Sequence, residues 1–302
     1  MSLRSIEERG VEEFIGFTVR DLKPRPRGGF PFPWQSVVMF SSINRLLLVD
    51  QLRFGVALVR YLWFKVLLGR LRTLAPASGV AENTVSHNLL GLKDLAVRRS
   101  LKLIRPLSCI DALGPDSEIL SIGPRTEGEL LYLVGHGYRP SRIRGLDLIT
   151  YSPWIDLGDM HELPYPEHRF DAVILGWVLA YSTDRRRAAR EVVRVTRPGG
   201  FIAIGVEYNP LSNEEIQEQR GYLPGNPRRL TSVAEILELF EGSVDRVYFS
   251  HDITAERKDR LGSLTVVFSV EDASREGTAR AGREQVETAF SSRRRAGALP
   301  VS

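Results

Sequence analysis

From residue 111 onward the chain alternates two hydrophobic patterns. Short, nearly unbroken apolar runs occur at Glu118–Ile122, Ile143–Leu148, Phe170–Leu179 and Phe201–Glu207. Between them lie stretches that read as helical, Gly128–Gly135 and Thr183–Thr196, with Ser232–Phe240 following the last run. A run that is apolar at every position needs cover on both faces, and alternating helices supply it. Asp184 stands where it can cap the second helix, and Arg197-Pro198-Gly199-Gly200 reads as a turn before the next strand. Val244–Phe249 and Ser263–Val270 are further strands, joined by a segment too short and polar for a crossover helix. They should form an antiparallel pair at one edge. The predicted fold class is α/β: a doubly wound sheet, mostly parallel, with an antiparallel edge strand and a helical N-terminal extension.

The pattern before residue 111 differs. Residues 1–36 are polar, then rich in Pro and Gly, and read as an irregular arm. Residues 37–110 read as the helical extension. Within it, Ser41–Arg72 is long, apolar and free of Pro, with Ser41 or Ser42 as the cap. Arg45, Arg53, Arg60 and Arg70 fall on one arc at helical spacing, and aromatic and Leu positions fill the other side. No stretch reaches the roughly 18 uncharged residues of a membrane-spanning helix. A basic amphipathic helix suits the surface of an anionic bilayer, so peripheral membrane contact through 41–72 stays open beside packing on the sheet domain or in a homodimer. Residues 111–270 form the main domain. The tail, 271–302, is poor in apolar residues and predicted to be disordered.

Composition narrows the classes. The chain has 302 residues, 43% hydrophobic and 26% charged, with a net charge of +4. That supports an ordinary packed core and gives too small a basic excess to argue for nucleic acid. The single cysteine, Cys109, excludes an internal disulfide and a cysteine-based zinc site, and the five histidines lack metal-ligand spacing. No metal is expected. The first residues carry Glu7, Glu8, Glu12 and Glu13 and no apolar core of a secretory signal, so the reading is cytoplasmic.

In a sheet of this kind, ligands bind beyond the carboxyl ends of the strands. Three such ends carry candidate chemistry. Ser121-Ile122-Gly123-Pro124-Arg125-Thr126-Glu127-Gly128-Glu129 leads from a strand through a turn into a helix N-terminus. Asp147 ends the second strand, where a carboxylate can accept hydrogen bonds from ribose hydroxyls. Gly158-Asp159-Met160-His161-Glu162-Leu163-Pro164-Tyr165 precedes Arg169-Phe170-Asp171. With Arg194-Val195-Thr196-Arg197-Pro198-Gly199-Gly200-Phe201, these runs resemble the class I S-adenosylmethionine-dependent methyltransferases, especially the type 11 group, over about residues 116–208.

The resemblance implies a Rossmann-like sheet and S-adenosylmethionine as cofactor. It puts Asp147 on the ribose, Asp159 near the adenine amino group, the Met160 backbone N–H on the ring and Leu148 against one ring face. Trp177 would lie near the reacting centre. The first motif departs from the usual acid followed by G-x-G-x-G: Ser121, Arg125 and Glu127 replace the acid and two glycines. Gly123, Arg125, Thr126 and Glu129 fit a more remote G-x-R-T-x-x-E version, with Pro124 in the same turn. Arg125 could pair with the methionine carboxylate, and Glu127 or Glu129 with its ammonium. Residues 148–158 are too few for the usual helix, so Tyr151 and Trp154 are expected near the adenine pocket.

The expected activity is methyl transfer to an O or N atom of a small-molecule or glycan-like acceptor. The catalytic base stays open, with Glu207, Tyr208 and His161 as weak candidates. Residues 209–230 read as a substrate lid whose arginines, among them Arg229, could meet an acidic acceptor. The alternative is a non-catalytic, methyltransferase-like scaffold that binds a partner through its helical arm. Nicotinamide binding is disfavoured because Gly123–Gly128 lacks the central glycine of G-x-G-x-x-G, and no basic–aromatic stripe suggests nucleic acid.

Overall fold

The structure is a computed structural model. It describes residues 43–74, 100–220 and 228–272, with the single positions Val85, Leu89, Gly91, Leu92 and Leu95. The predicted arm at 1–36 and the tail beyond Asp272 lie outside the described residues, as do 221–227 of the predicted lid.

Seven strands form one sheet: β1 (Ile119–Ile122), β2 (Ile143–Asp147), β3 (Ile155–Leu157), β4 (Phe170–Gly176), β5 (Thr196–Tyr208), β6 (Val244–His251) and β7 (Gly262–Val270). Their spatial order is β3-β2-β1-β4-β5-β7-β6. The first five are parallel, and β7 enters antiparallel to both β5 and β6. The mostly parallel, doubly wound sheet with an antiparallel edge is therefore as the pattern predicts. The order reverses at β1, which lies between β2 and β4, so the cleft expected of such sheets falls beside the β1 carboxyl end.

Alternate residues of the same strands feed two cores. Leu120, Val173, Leu175, Ile202 and Ile204 pack on one side, against α4 (Arg185–Val195) and α6 (Val233–Glu238). Ile119, Ile143, Ala172, Ile174 and Ala203 pack on the other, with α2 (Leu101–Ser108) and α3 (Gly128–Gly135). Each fully buried Leu, Ile or Val contributes roughly 1.5–3 kcal/mol, which is why unbroken apolar runs end up at the sheet centre. Asp184 caps α4 by accepting from the Arg187 N–H at 2.9 Å, as expected. Ser232 likewise accepts from the Glu235 N–H at the start of α6. A further helix, α5 (Asn213–Arg220), occupies part of the predicted lid.

Several local readings are corrected. The apolar run from Phe170 does not stay extended to Leu179. The strand ends at Gly176, and Trp177 turns the chain with φ 62. Strand β5 starts at Thr196, so the Arg197–Gly200 turn sits within the strand beside an irregularity opposite Phe170 and Ala172. The 41–72 run is not one helix. A 3-10 turn at Arg45–Leu48 is cut by extended Val49, α1 (Asp50–Tyr61) follows, and a π turn closes it at Leu62–Leu67. Arg72–Thr73 then pairs antiparallel with Ile149–Thr150, which occupies part of the short link between β2 and β3.

Candidate active site

A cleft lies at the carboxyl ends of β1 to β4. Ile122 and Gly123 line it from β1, Asp147 and Leu148 from β2, Asp159 and Met160 from β3. Trp177, Val178 and Tyr181 close it from the β4 side.

The loop after β1 is shaped by its backbone. Gly123 has φ 76, and a Cβ there would lie 2.0 Å from Val178, so only glycine fits. Arg125 also takes a left-handed conformation, φ 55. That conformation aims the Arg125 N–H at Asp147 Oδ2, 2.9 Å away, while the Ile149 N–H reaches Oδ1 at 3.3 Å. Burial pushes the Asp147 carboxyl up to about 6, although these backbone donors oppose the rise. This puts a buried carboxylate at the β2 end, facing the cleft.

The two glutamates of this loop turn away from the cleft. Glu127 is fully buried and accepts from Arg60 of α1, Nη2 at 2.9 Å and Nε closer still, and from Ser152 Oγ. Glu129 accepts from Ser121 Oγ and from Ser100 Oγ. The carboxylate that Ser121 lacks is thus returned to the β1 end by a residue of α3. Pro124 and Thr126 are buried and do not line the cleft. Tyr151 and Trp154, expected near the adenine pocket, pack instead under α1. The Tyr151 ring meets Tyr61 edge-on at 5.2 Å, and Trp154 lies 4.5 Å beneath the Arg60 guanidinium.

His161 lies between two partners: Asp159 Oδ1 at 2.6 Å from Nδ1 and Ser182 Oγ at 2.7 Å from Nε2. The distances match a nucleophile triad, but Ser182 is fully buried and no substrate atom can reach it. The arrangement fastens the β3 loop to the turn before α4. Burial alone would raise the Asp159 carboxyl, yet the His161 ring and backbone N–H hold it below its ordinary value.

A second cavity adjoins the first and shares Trp177 and Tyr181 with it. Val206, Glu207 and Asn209 line it from the end of β5, Arg185 from α4, Ile216 from α5, and Arg229 and Leu230 from beyond. Tyr208 points elsewhere, its hydroxyl donating to the Lys258 carbonyl at 3.1 Å. The main-chain N–H of Trp177 donates to the Gly205 carbonyl at 2.8 Å, which fixes the backbone at the partition. The Trp177 ring lies so close to Gly205 that a Cβ there would be 3.0 Å from two ring carbons. A non-glycine residue with positive φ, held by such packing at a cleft, is strain of the kind found at functional sites.

The family model for the methyltransferase domain matches residues 139–204. This segment is similar to the methyltransferase domain that the family model describes. It contains β2 to β4 and most of β5, the strands whose ends carry Asp147, Asp159 and Trp177. The chain is 34% identical over 73 residues to 2-phytyl-1,4-beta-naphthoquinone methyltransferase of Arabidopsis thaliana, covering 24% of this chain and 27% of that one. It is 39% identical over 59 residues to demethylmenaquinone methyltransferase of Symbiobacterium thermophilum, covering 19% and 22%. The chain thus spans about a quarter of the length of these curated relatives. Among solved structures it is similar to the N-methyltransferase NodS of Bradyrhizobium japonicum with S-adenosyl-l-homocysteine, at 18% identity and a TM-score of 0.44 over 63% of this chain and 99% of that one.

The cleft contains residues that the sequence does not single out. Leu146, Val178 and Tyr181 are apolar or aromatic positions that a strand core would also use, so nothing in their identity sets them apart. The Ser100–Glu129–Ser121 cluster had one signal: an acid missing at 121 and another in the first turn of the next helix.

Proposed function

We propose that this chain transfers a methyl group from S-adenosylmethionine to a small-molecule acceptor. The observation that carries the reading is the pair of adjoining cavities, one built on Asp147 and the other on Glu207, partitioned by Trp177 and Tyr181. The first suits the cofactor: a buried carboxylate for the ribose, apolar Leu148 and Met160 for a purine, and Asp159 beside them. When bound, S-adenosylmethionine supplies a methyl group already activated on a sulfonium. The chain's part is to hold and orient. The wall shared by the two cavities brings whatever occupies them together, and positioning of this sort supplies most of the rate. Glu207 lines the acceptor side and can take the proton that an O–H or N–H acceptor must lose.

The second cavity also favours one class of acceptor. Arg185 and Arg229 donate to the main-chain carbonyls of Leu179, Arg228 and Asn209, and neither has a hydrogen-bonded carboxylate among the described residues. Asn209 Nδ2 is buried without a partner among the described residues. Between these donors lie Val206, Ile216 and Leu230. The lining suits an apolar body with an anionic group better than a glycan. The quinone substrates in the relatives' names do not decide this, because the family match at 139–204 ends before Glu207.

The test is calorimetric titration with S-adenosylmethionine and S-adenosylhomocysteine, on the wild type and on Asp147→Ala. Micromolar binding lost in the variant is expected. A folded wild type that binds neither would replace the enzyme with a methyltransferase-like scaffold. For the acceptor, 4-hydroxybenzoate should stabilise the S-adenosylhomocysteine complex in a thermal shift, and Arg229→Ala should remove that effect.

A further inference from the structure

Helix α1 is turned opposite to an ordinary surface helix. Its arginines face inward: Arg53 is fully buried and Arg60 nearly so. Arg53 donates to the Leu47 carbonyl at 2.9 Å and to Asp50 at 2.6 Å, and lies 4.7 Å over the Tyr132 ring of α3. Arg60 is spent on Glu127. Ala57 packs inward with Val56, Leu58 and Tyr61 against it, but the rest of the apolar surface faces outward. Leu46, Leu52, Val59 and Leu62 are each about half exposed, and Val66 and Leu67 are each 66% exposed. Ile43, Val49, Phe54, Trp63 and Leu71 extend the same surface. A contiguous apolar face of this length is not a feature of a freely soluble surface.

The charges around the face say what covers it. Between residues 43 and 74 the only acid is Asp50, and it is paired with Arg53. With Arg53 and Arg60 neutralised by Asp50 and Glu127, the remaining charges are Arg45 at one end, Lys65, and Arg70 and Arg72 at the other. Two copies packed face to face would oppose cations in either orientation, and like charges in register disfavour a pair. A bilayer carrying anionic headgroups answers both halves of the surface. The apolar residues enter the headgroup boundary, with Trp63 among them, while the arginines stay at the phosphates.

We propose that the outward face of residues 43–72 docks the protein on the surface of an anionic phospholipid bilayer. The attachment is peripheral, since no described helix is long and apolar enough to cross a membrane. The lipid-facing side is the apolar one, and Arg60, through Glu127, ties the docked helix to the loop that carries Arg125.

The experiment is vesicle flotation of the full-length protein at low salt. One vesicle set is phosphatidylcholine alone, and the other contains phosphatidylglycerol as well. Val59→Glu/Val66→Glu is the variant, because both positions are exposed and the fold should tolerate the change. Flotation with the anionic vesicles is expected. The double variant should weaken it at least tenfold with an unchanged melting temperature, and 0.5 M salt should weaken it severalfold. Failure of the wild type to float, or equal flotation of the variant, overturns the proposal. So does a wild type that sediments as a dimer and a variant that sediments as a monomer, which would assign the face to a second copy. S-adenosylhomocysteine binding, measured separately, is expected to be the same in both proteins, so failure here is distinct from failure of the enzyme reading.

Discussion

Arg60 and Glu127 stand 67 residues apart in the chain and meet in the interior, with side chains 8% and 0% exposed. Replacing Arg60 by Met leaves the Glu127 carboxylate with the Ser152 hydroxyl but without its cation. It also removes the guanidinium from the Trp154 ring, 4.5 Å away, and from the Phe64 ring at 5.1 Å. Breaking a buried pair from one side costs about 3–5 kcal/mol, because the stranded charge has no water. That is a large share of a typical total of about 5–15 kcal/mol. At about 2–4 °C per kcal/mol for a domain of this size, the melting temperature should fall by about 6–20 °C.

Arg60→Met/Glu127→Gln removes both charges at once. It should recover much of the loss, leaving the double variant more stable than Arg60→Met alone. Thermal unfolding followed by circular dichroism, on the wild type, both single variants and the double, measures the coupling. A fall of less than about 3 °C for Arg60→Met would show that the pair is not buried as described. Strict additivity of the two single changes would show that they do not interact.

Other consequences can be checked directly. Asp147 titrates near 6 in the unliganded fold, above the ordinary 3.8. Its contribution to stability is therefore full below about pH 4 and is lost as pH rises through about 6. A ribose diol needs the ionised form, so S-adenosylhomocysteine affinity should be about tenfold weaker at pH 5 than at pH 8; a flat profile in calorimetry would remove Asp147 from the binding step. Gly205→Ala presses a methyl group against the Trp177 ring, 3.0 Å from two of its carbons. A loss of about 1–3 kcal/mol is expected in denaturant unfolding, and an unchanged midpoint would mean that the ring moves freely. Asp184→Ala removes the cap of α4 and should cost about 1 kcal/mol, read from the same unfolding curves. Glu129→Ala leaves the hydroxyls of Ser100 and Ser121 without their acceptor and should destabilise by about 1–3 kcal/mol, whereas wild-type stability would deny the carboxylate its place at the β1 end.

What could be read from the chain alone was whatever depends on neighbours in sequence. Unbroken apolar runs marked β1, β2, β4 and β5, because a central parallel strand is covered on both faces and has no polar side to show. The Asp184 cap was legible for the same local reason. The strand-end residues Asp147, Asp159 and Trp177 were placed by the resemblance together with the rule that such sheets bind ligands at their carboxyl ends. Tertiary structure decided the rest. Helical spacing showed that the arginines of 41–72 share an arc, but spacing is silent on which arc faces the core. Glu127, distant in sequence and buried in the fold, drew Arg60 inward and so turned the apolar side out. Likewise Ser121 looked like a lost acid until α3 brought Glu129 beside it. A charge in the interior is stable only with a partner, and the partner is found by the fold, not by the neighbouring residues.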